Sequence, residues 1–280
     1  MKWDGHTHSE FCPHGSGEDT ELFIRSAIKQ GMTDYSITEH APLPPDFLAR
    51  CAGAQRAIDT AGIAIHDVEP YLKKMNRLKQ KYRSHLNIHV GFEIDYLSDY
   101  EDWTRAFLNE YGQYSDNSIL SLHFLQGSGG YRAIDYSAED YLQGIAAFYG
   151  SFQFAQEAYF EMMRHMVKAD LGIYKPKRIG HMTLCRKFKN YFTKEDTGFS
   201  AETERLIDSF LNEVLIGEYM LDYNTSGMFK EWCGEPYPSD ECMIKIVQKH
   251  IPLVFGSDAH FPKDVGGGYE RFESWTVPNT

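Results

Sequence analysis

The feature that most constrains this chain is an alternation repeated along its length, a short β-type run followed by a stretch of helical periodicity. The runs fall at 2–6, 34–38, 87–93, 118–122, 178–181, 218–223 and 252–256. Helical periodicity occupies 68–84, 100–112, 138–170, 201–216 and 239–250. Near the start, "EDTELFIRSAIKQG" gathers Leu22, Phe23, Ala27 and Ile28 on one face and closes on Gly31, a residue suited to the position just past a helix end. No antiparallel hairpin signal separates the runs, so successive strands are expected to lie parallel, joined by crossing helices. That many units close most economically into an α/β barrel, whose chemistry sits at the C-terminal ends of its strands.

The stretch 41–87 breaks the pattern. It opens on the proline-rich "APLPP" and holds enough sequence for two helices where one would suffice. It reads as a surface insertion or as a lid over the strand ends, because long inserts on that face often cover active sites.

Residues of metal-ligand type cluster where the barrel would place its chemistry. His6 and His8 are two apart on an extended run, so both side chains point to one side. His40 follows the second run, Glu93 ends the third, His123 follows the fourth and His181 ends the fifth. Asp258 and His260 follow the last run as "SDAH", and His14 lies in "DGHTHSEFCPHG". A lone histidine at a strand end is ordinarily a satisfied polar residue, and the joint pattern is what carries weight. Neutral imidazoles with a few carboxylates suit Zn, Fe or Mn, and these donors exceed what one tetrahedral ion takes. Two to three divalent ions would outweigh the charge of Glu93 and Asp258, leaving a positive pocket that attracts a phosphate dianion. His66, His85, His89, His165 and His250 fall in helices, loops or mid-strand and are read as surface or packing residues. Cys12 is read as a small buried side chain.

Bulk properties narrow the partners. A net charge of −12 disfavours nucleic acid, which is held through basic surface. The longest apolar runs, "VLI" and "IPLVF", are far too short to span a membrane, and "MKWDGHTH" lacks the pattern of a secretory or transit leader. The 5 cysteines include no CxxC pair, which suggests free thiols and a cytoplasmic location. The oligomeric state is left open.

In its ordered donors from His6 to His260, the sequence resembles the polymerase and histidinol phosphatase (PHP) family of metallo-phosphoesterases. "ITEHAPLP", "GFEIDY", "IGHMTLCRKF", "YNTSG", "FGSDAH" and the insert after His40 are similar to its histidinol-phosphatase branch. Thr183 departs from the aspartate expected there. The resemblance implies a distorted (β/α)7 TIM-like barrel over 1–280, a single domain with a helical insertion at 41–87, and a trinuclear centre. His6, His8, Glu93 and Asp258 would hold the first ion. Glu93, bridging, would hold the second with His123 and His181, and His14, His40 and His260 the third. The implied reaction is hydrolysis of a small phosphomonoester, L-histidinol phosphate, in histidine biosynthesis. A metal-bridging hydroxide held by Glu93, His123 and Asp258 would be the nucleophile.

Arg186 is the first choice for a phosphate clamp, since a guanidinium fork matches phosphate oxygens. Arg164 and Arg132 stand behind it, and Asn224 in "YNTSG" is a candidate substrate or supporting contact. "GSGG" at 127–130 reads as a plain loop more readily than as a phosphate cradle. Alternatives are another small monoester or nucleic acid as substrate. An amidohydrolase-type deaminase also begins HxH, but it would leave His14, His40 and the final DxH unexplained.

Overall fold

The computed structural model describes residues 1–276; the last four positions of the expected domain, 277–280, lie outside the described residues. In chain order the strands are β1 (Trp3–Asp4), β2 (Asp34–His40), β3 (Asn87–Asp95), β4 (Ile119–Ser121), β5 (Phe124–Gly127), β6 (Gly130–Ala133), β7 (Arg178–Ile179), β8 (Met220–Asn224) and β9 (Leu253–Gly256). Seven of them form one sheet, ordered β1-β2-β3-β4-β7-β8-β9, with every pairing parallel. Its two ends meet. Gly5 N donates to Phe255 O at 2.7 Å, Asp258 N to His6 O at 2.8 Å and His8 N to Ala259 O at 3.0 Å. The result is an α/β, nearly closed seven-stranded barrel with helices outside.

Register decides what meets at the strand ends. Pairing of β2 with β3 runs from Asp34↔Asn87 to His40↔Glu93, which sets an imidazole beside a carboxylate. All of β2 is buried, as a parallel strand covered on both faces requires. Across β8 and β9, Asn224 pairs with Gly256. A Cβ on Gly256 would fall 2.4 Å from Asp222 Oδ1 and 2.7 Å from His6 Cβ, so only glycine lets β9 pass that pair.

Helix Thr20–Lys29 begins at Asp19, whose carboxylate accepts from Glu21 N, and ends with Gly31 at φ +73° as expected. It buries Phe23, Ile24 and Ala27, each larger side chain contributing about 1.5–3 kcal/mol. Leu22, expected on that face, is exposed, because the apolar stripe is centred on 23, 24 and 27. The single helical stretch expected over 138–170 is broken at Gly150, which takes φ +98°. Ser151 then caps helix Phe152–Lys168 by accepting from Phe154 N.

The expected lack of a hairpin is corrected by β5 and β6, which pair antiparallel through a turn made by "GSGG". The insertion docks on this hairpin. Ala52 N donates to Tyr131 O at 2.8 Å. Phe47 packs with Leu97, Tyr100, Phe124 and Tyr131 in an apolar cluster separate from the main core. Within the insertion lie a helical turn at Phe47–Arg50, helix Gln55–Asp59 and helix Val68–Tyr82. No helix among the described residues is long and apolar enough to cross a membrane.

Candidate metal centre

Glu93, at the end of β3, is the hub on which the strand ends converge. Its Oε2 lies 3.2 Å from His6 Nε2, 3.2 Å from His40 Nδ1 and 3.7 Å from His8 Nε2. Its Oε1 lies 2.9 Å from His181 Nε2 and 3.5 Å from His123 Nε2. Asp258 Oδ1 is 3.1 Å from His8 Nε2 and 3.8 Å from His6 Nε2. His14 Nε2 faces His260 Nε2 at 2.9 Å, and His123 Nε2 faces His181 Nε2 at 3.1 Å. Donors around a tetrahedral ion with bonds of about 2.0–2.1 Å stand about 3.3 Å apart, so these separations suit ion binding. Donor atoms within 4.8 Å of one another form three groups, His6–His8–Glu93, Glu93–His123–His181 and His8–Cys12–His40–His260. The structure thus adds the Cys12 sulfur beside the third group, which His14 meets through His260. Burial, and the charge of Glu39, push the Cys12 thiol up, which disfavours a nucleophilic thiolate there.

Behind the donors stands a ring of acceptors. His6 Nδ1 bonds Asp222 Oδ2 at 2.7 Å, and His123 Nδ1 bonds Asp95 Oδ1 at 2.8 Å. His14 Nδ1 bonds Thr60 O at 2.7 Å, and His260 Nδ1 bonds Asp258 O at 2.9 Å. His8 Nδ1 lies 3.4 Å from Glu39 Oε1. Each acceptor fixes its ring as the Nδ1–H tautomer and turns the Nε2 lone pair inward. Sequence reasoning missed Asp222, Asp95 and Glu39. Asp95 carried a usable signal, since two residues beyond Glu93 on a strand lies the same face.

Several inward nitrogens make no well-formed hydrogen bond, although Glu93 Oε2 lies close to two of them. His6 Nε2 and both nitrogens of His40 are buried without a hydrogen-bond partner, a state that costs about 1–3 kcal/mol per group. Divalent ions would satisfy His6 Nε2 and one nitrogen of His40, so the residues present fit the metals that the donor pattern implies.

Charge in the cluster is strongly coupled. Burial favours a neutral Glu93, yet the imidazoles of His6, His123 and His40 hold its carboxyl well below the usual carboxylate range. Asp258 behaves likewise against His6, His8 and His260. In return, against burial, Asp258 and Glu39 raise His8 to about 9, and Asp95 and Glu93 raise His123 to about 10. His40 and His260 are driven well below the ordinary value by burial and by His8.

Asp258 adopts φ +54°, a left-handed conformation uncommon outside glycine but one that aspartate takes more readily than most residues. Asn224 is fully buried, with Nδ2 3.2 Å from Asp258 Oδ2 and Oδ1 accepting from Ser226 N at 3.0 Å. It steadies Asp258 and does not border the cavity, which corrects its candidacy as a substrate contact.

A cavity of about 810 Å³ opens above these donors. Of the nine donors, His14, His40, Glu93, His123, His181, Asp258 and His260 line it directly. The insertion borders it through Arg56, Ala57, Thr60 and Ala61. None of the three expected arginines does, because each guanidinium is neutralised and held elsewhere. Arg186 donates from Nε to Glu235 at 2.7 Å and from Nη1 to Thr197 O at 2.9 Å. Arg164 pairs with Glu213 at 2.8 Å, and Arg132 with Asp140 at 2.9 Å. The cations lining the cavity are instead Arg56, Lys187, Lys230 and Lys263, with Lys187 Nζ 3.1 Å from Asp135. His66, His85, His89, His165 and His250 do not border it.

Comparison with known proteins relates nearly the whole chain to one family. A sequence profile described as PHP domain matches residues 4–226. A histidinol-phosphatase of Bacillus subtilis (strain 168) is 40% identical over 272 residues, covering 97% of this chain and 98% of the relative. A crystal structure from Listeria monocytogenes, assigned as a histidinol phosphatase, is 49% identical with a TM-score of 0.95, covering 97% of this chain and 100% of that one. A histidinol phosphate phosphatase from Lactococcus lactis subsp. lactis was solved with Zn, L-histidinol and phosphate. It is similar in fold at 18% identity, with a TM-score of 0.71, covering 98% of this chain and 93% of that one.

Proposed function

The chain belongs to the PHP domain family, and from that membership we propose that it is a metal-dependent histidinol-phosphatase. It hydrolyses L-histidinol phosphate to L-histidinol and inorganic phosphate. The observation that carries this is the double-sided arrangement of the cluster, with Nδ1 tethered outward on five histidines, while Nε2 turns toward Glu93 or Asp258 on His6, His8 and His123 and the Nε2 atoms of His14 and His260 face each other.

Two to three divalent ions, Zn, Fe or Mn, would be held by three sets of donors. These are His6, His8, Glu93 and Asp258; Glu93, His123 and His181; and His14, His40 and His260. Bound there, such ions supply positive charge at the phosphoryl oxygens and acidify water for in-line attack. Phosphate-monoester hydrolysis is among the slowest uncatalysed reactions, so charge and positioning must supply most of the acceleration. Glu93 is shared between two donor sets and fixes their spacing. Asp222, Asp95 and Glu39 hold His6, His123 and His8 in the ligating tautomer. Lys187, anchored by Asp135, and Arg56 on the insertion take the phosphate-facing role first expected of Arg186, Arg164 and Arg132.

The protein acts as one PHP barrel domain over 1–280, with 41–87 closing over the substrate and excluding water. The five cysteines are all free, consistent with work in the reducing cytoplasm. Phosphate release from a panel of phosphomonoesters, phosphodiesters and single-stranded DNA tests the assignment. The expected result is the highest kcat/KM on histidinol phosphate. Faster turnover of a diester or of DNA would replace it with a nuclease.

A further inference from the structure

We infer that Tyr136, Phe229 and Phe261 form an aromatic clamp at the cavity mouth that holds the imidazole ring of the substrate and sets specificity for it. This rests on the histidinol-phosphatase assignment and deepens it. The three residues come from separate loops, after β6, β8 and β9, yet all border the one cavity above the metal centre. They are 44%, 67% and 42% exposed, whereas most aromatic rings of this chain are packed in its cores.

Three partly bare rings around one opening are unlike the scattered exposed apolar residues of an ordinary surface. Among the described residues, none of the three pairs with another aromatic ring, although ring–ring contacts are frequent elsewhere in the chain. No aromatic ring among the described residues therefore covers their faces. Phe229 is backed by Gly267, where an added Cβ would stand at an ordinary contact distance of 3.6 Å from Phe229 Cε2. Phe261 carries Lys263 Nζ 5.3 Å from its ring centroid. The cavity lining thus combines the imidazoles and carboxylates of the metal centre with exposed aromatic rings. A ligand that matches both carries a phosphate at one end and a flat heteroaromatic ring at the other. Stacking against rings with few rotatable bonds orders little on binding, so it discriminates a planar group from a flexible chain.

The test compares histidinol phosphate with O-phosphoethanolamine, which keeps the ammonium group and lacks the ring. Phe229→Leu and Phe261→Leu, singly and together, keep an apolar side chain, somewhat smaller, while removing the π-face. Each single variant should lower the ratio of the two kcat/KM values by about two- to tenfold. The effect should fall on KM for histidinol phosphate more than on kcat, with metal content as in the wild type. A ratio unchanged in the double variant would overturn the clamp. So would a loss shared equally by both esters, which would mark the rings as structural. A wild-type protein that prefers the ringless ester would instead remove the histidinol-phosphatase assignment and the clamp with it.

Discussion

Replacing Asp222 with Asn takes one charge and almost no volume from the position behind His6. Asp222 Oδ2 accepts from His6 Nδ1 at 2.7 Å, and both side chains are fully buried. On its other side His6 Nε2 faces Glu93 Oε2 at 3.2 Å. A hydrogen bond to a charged group contributes about 1.5–3 kcal/mol and a neutral one about 0.5–1.5. The variant should therefore lose about 1–2 kcal/mol of support for the ligating tautomer, or about five- to thirtyfold in affinity for the ion on His6. That agrees with the loss of about 10–100-fold usual for carboxylates behind a metal-bound histidine. Competition against a chromophoric chelator reads the affinity directly, and assays with excess metal show whether activity returns. We expect one ion to bind more weakly and most turnover to be restored by added metal. Burial pushes Arg178 down to about 10 and the charge of Asp222 opposes that, so Tm should fall as well, and the titration belongs well below it. Wild-type affinity for every ion in Asp222→Asn would refute the outward-tether reasoning.

Other substitutions separate the roles assigned above. Glu93→Gln should release the ions of two donor sets, so elemental analysis should show at most one ion per chain; a full complement would show that Glu93 does not bridge. Arg186→Ala breaks a largely buried pair with Glu235 and should lower Tm by about 5–10 °C, taking about 3–5 kcal/mol for such a loss. Its kcat/KM should stay within about threefold, whereas Lys187→Ala should lose about ten- to a hundredfold with its metals retained; the opposite pattern would restore Arg186 as the clamp. Metal loading should release protons, because His8 and His123, raised to about 9 and about 10, are protonated at pH 7 and must become neutral to ligate. Apparent affinity should accordingly rise with pH up to those values, and calorimetry in buffers of different ionisation enthalpy that finds no proton release would contradict it.

The barrel was legible because a parallel barrel repeats its unit, and each repeat brings its C-terminal residues to the same rim. His6, His40, Glu93, His123, His181 and Asp258 recur at that position, and the structure brings these side chains together. What stayed hidden depends on contacts distant in sequence. Arg186 in "HMTLCR" looks like a phosphate ligand until Glu235, 49 residues away, is found holding it. Asp222 reads as an ordinary strand carboxylate because nothing local marks its pairing with His6, 216 residues away. The β5–β6 hairpin escaped notice because its flanks, "FLQ" and "YRA", are too short to show alternation. The break at Gly150 was lost inside a long stretch of strong helix formers.

The most direct measurement is phosphate release from L-histidinol phosphate while Zn is titrated into chelator-stripped protein, with bound metal counted at each point. The account predicts no turnover in the stripped protein and activity that rises only as the donor sets around Glu93 fill, reaching its plateau at two to three ions per chain. Full activity in metal-free protein, or a plateau reached with a single ion, would contradict it.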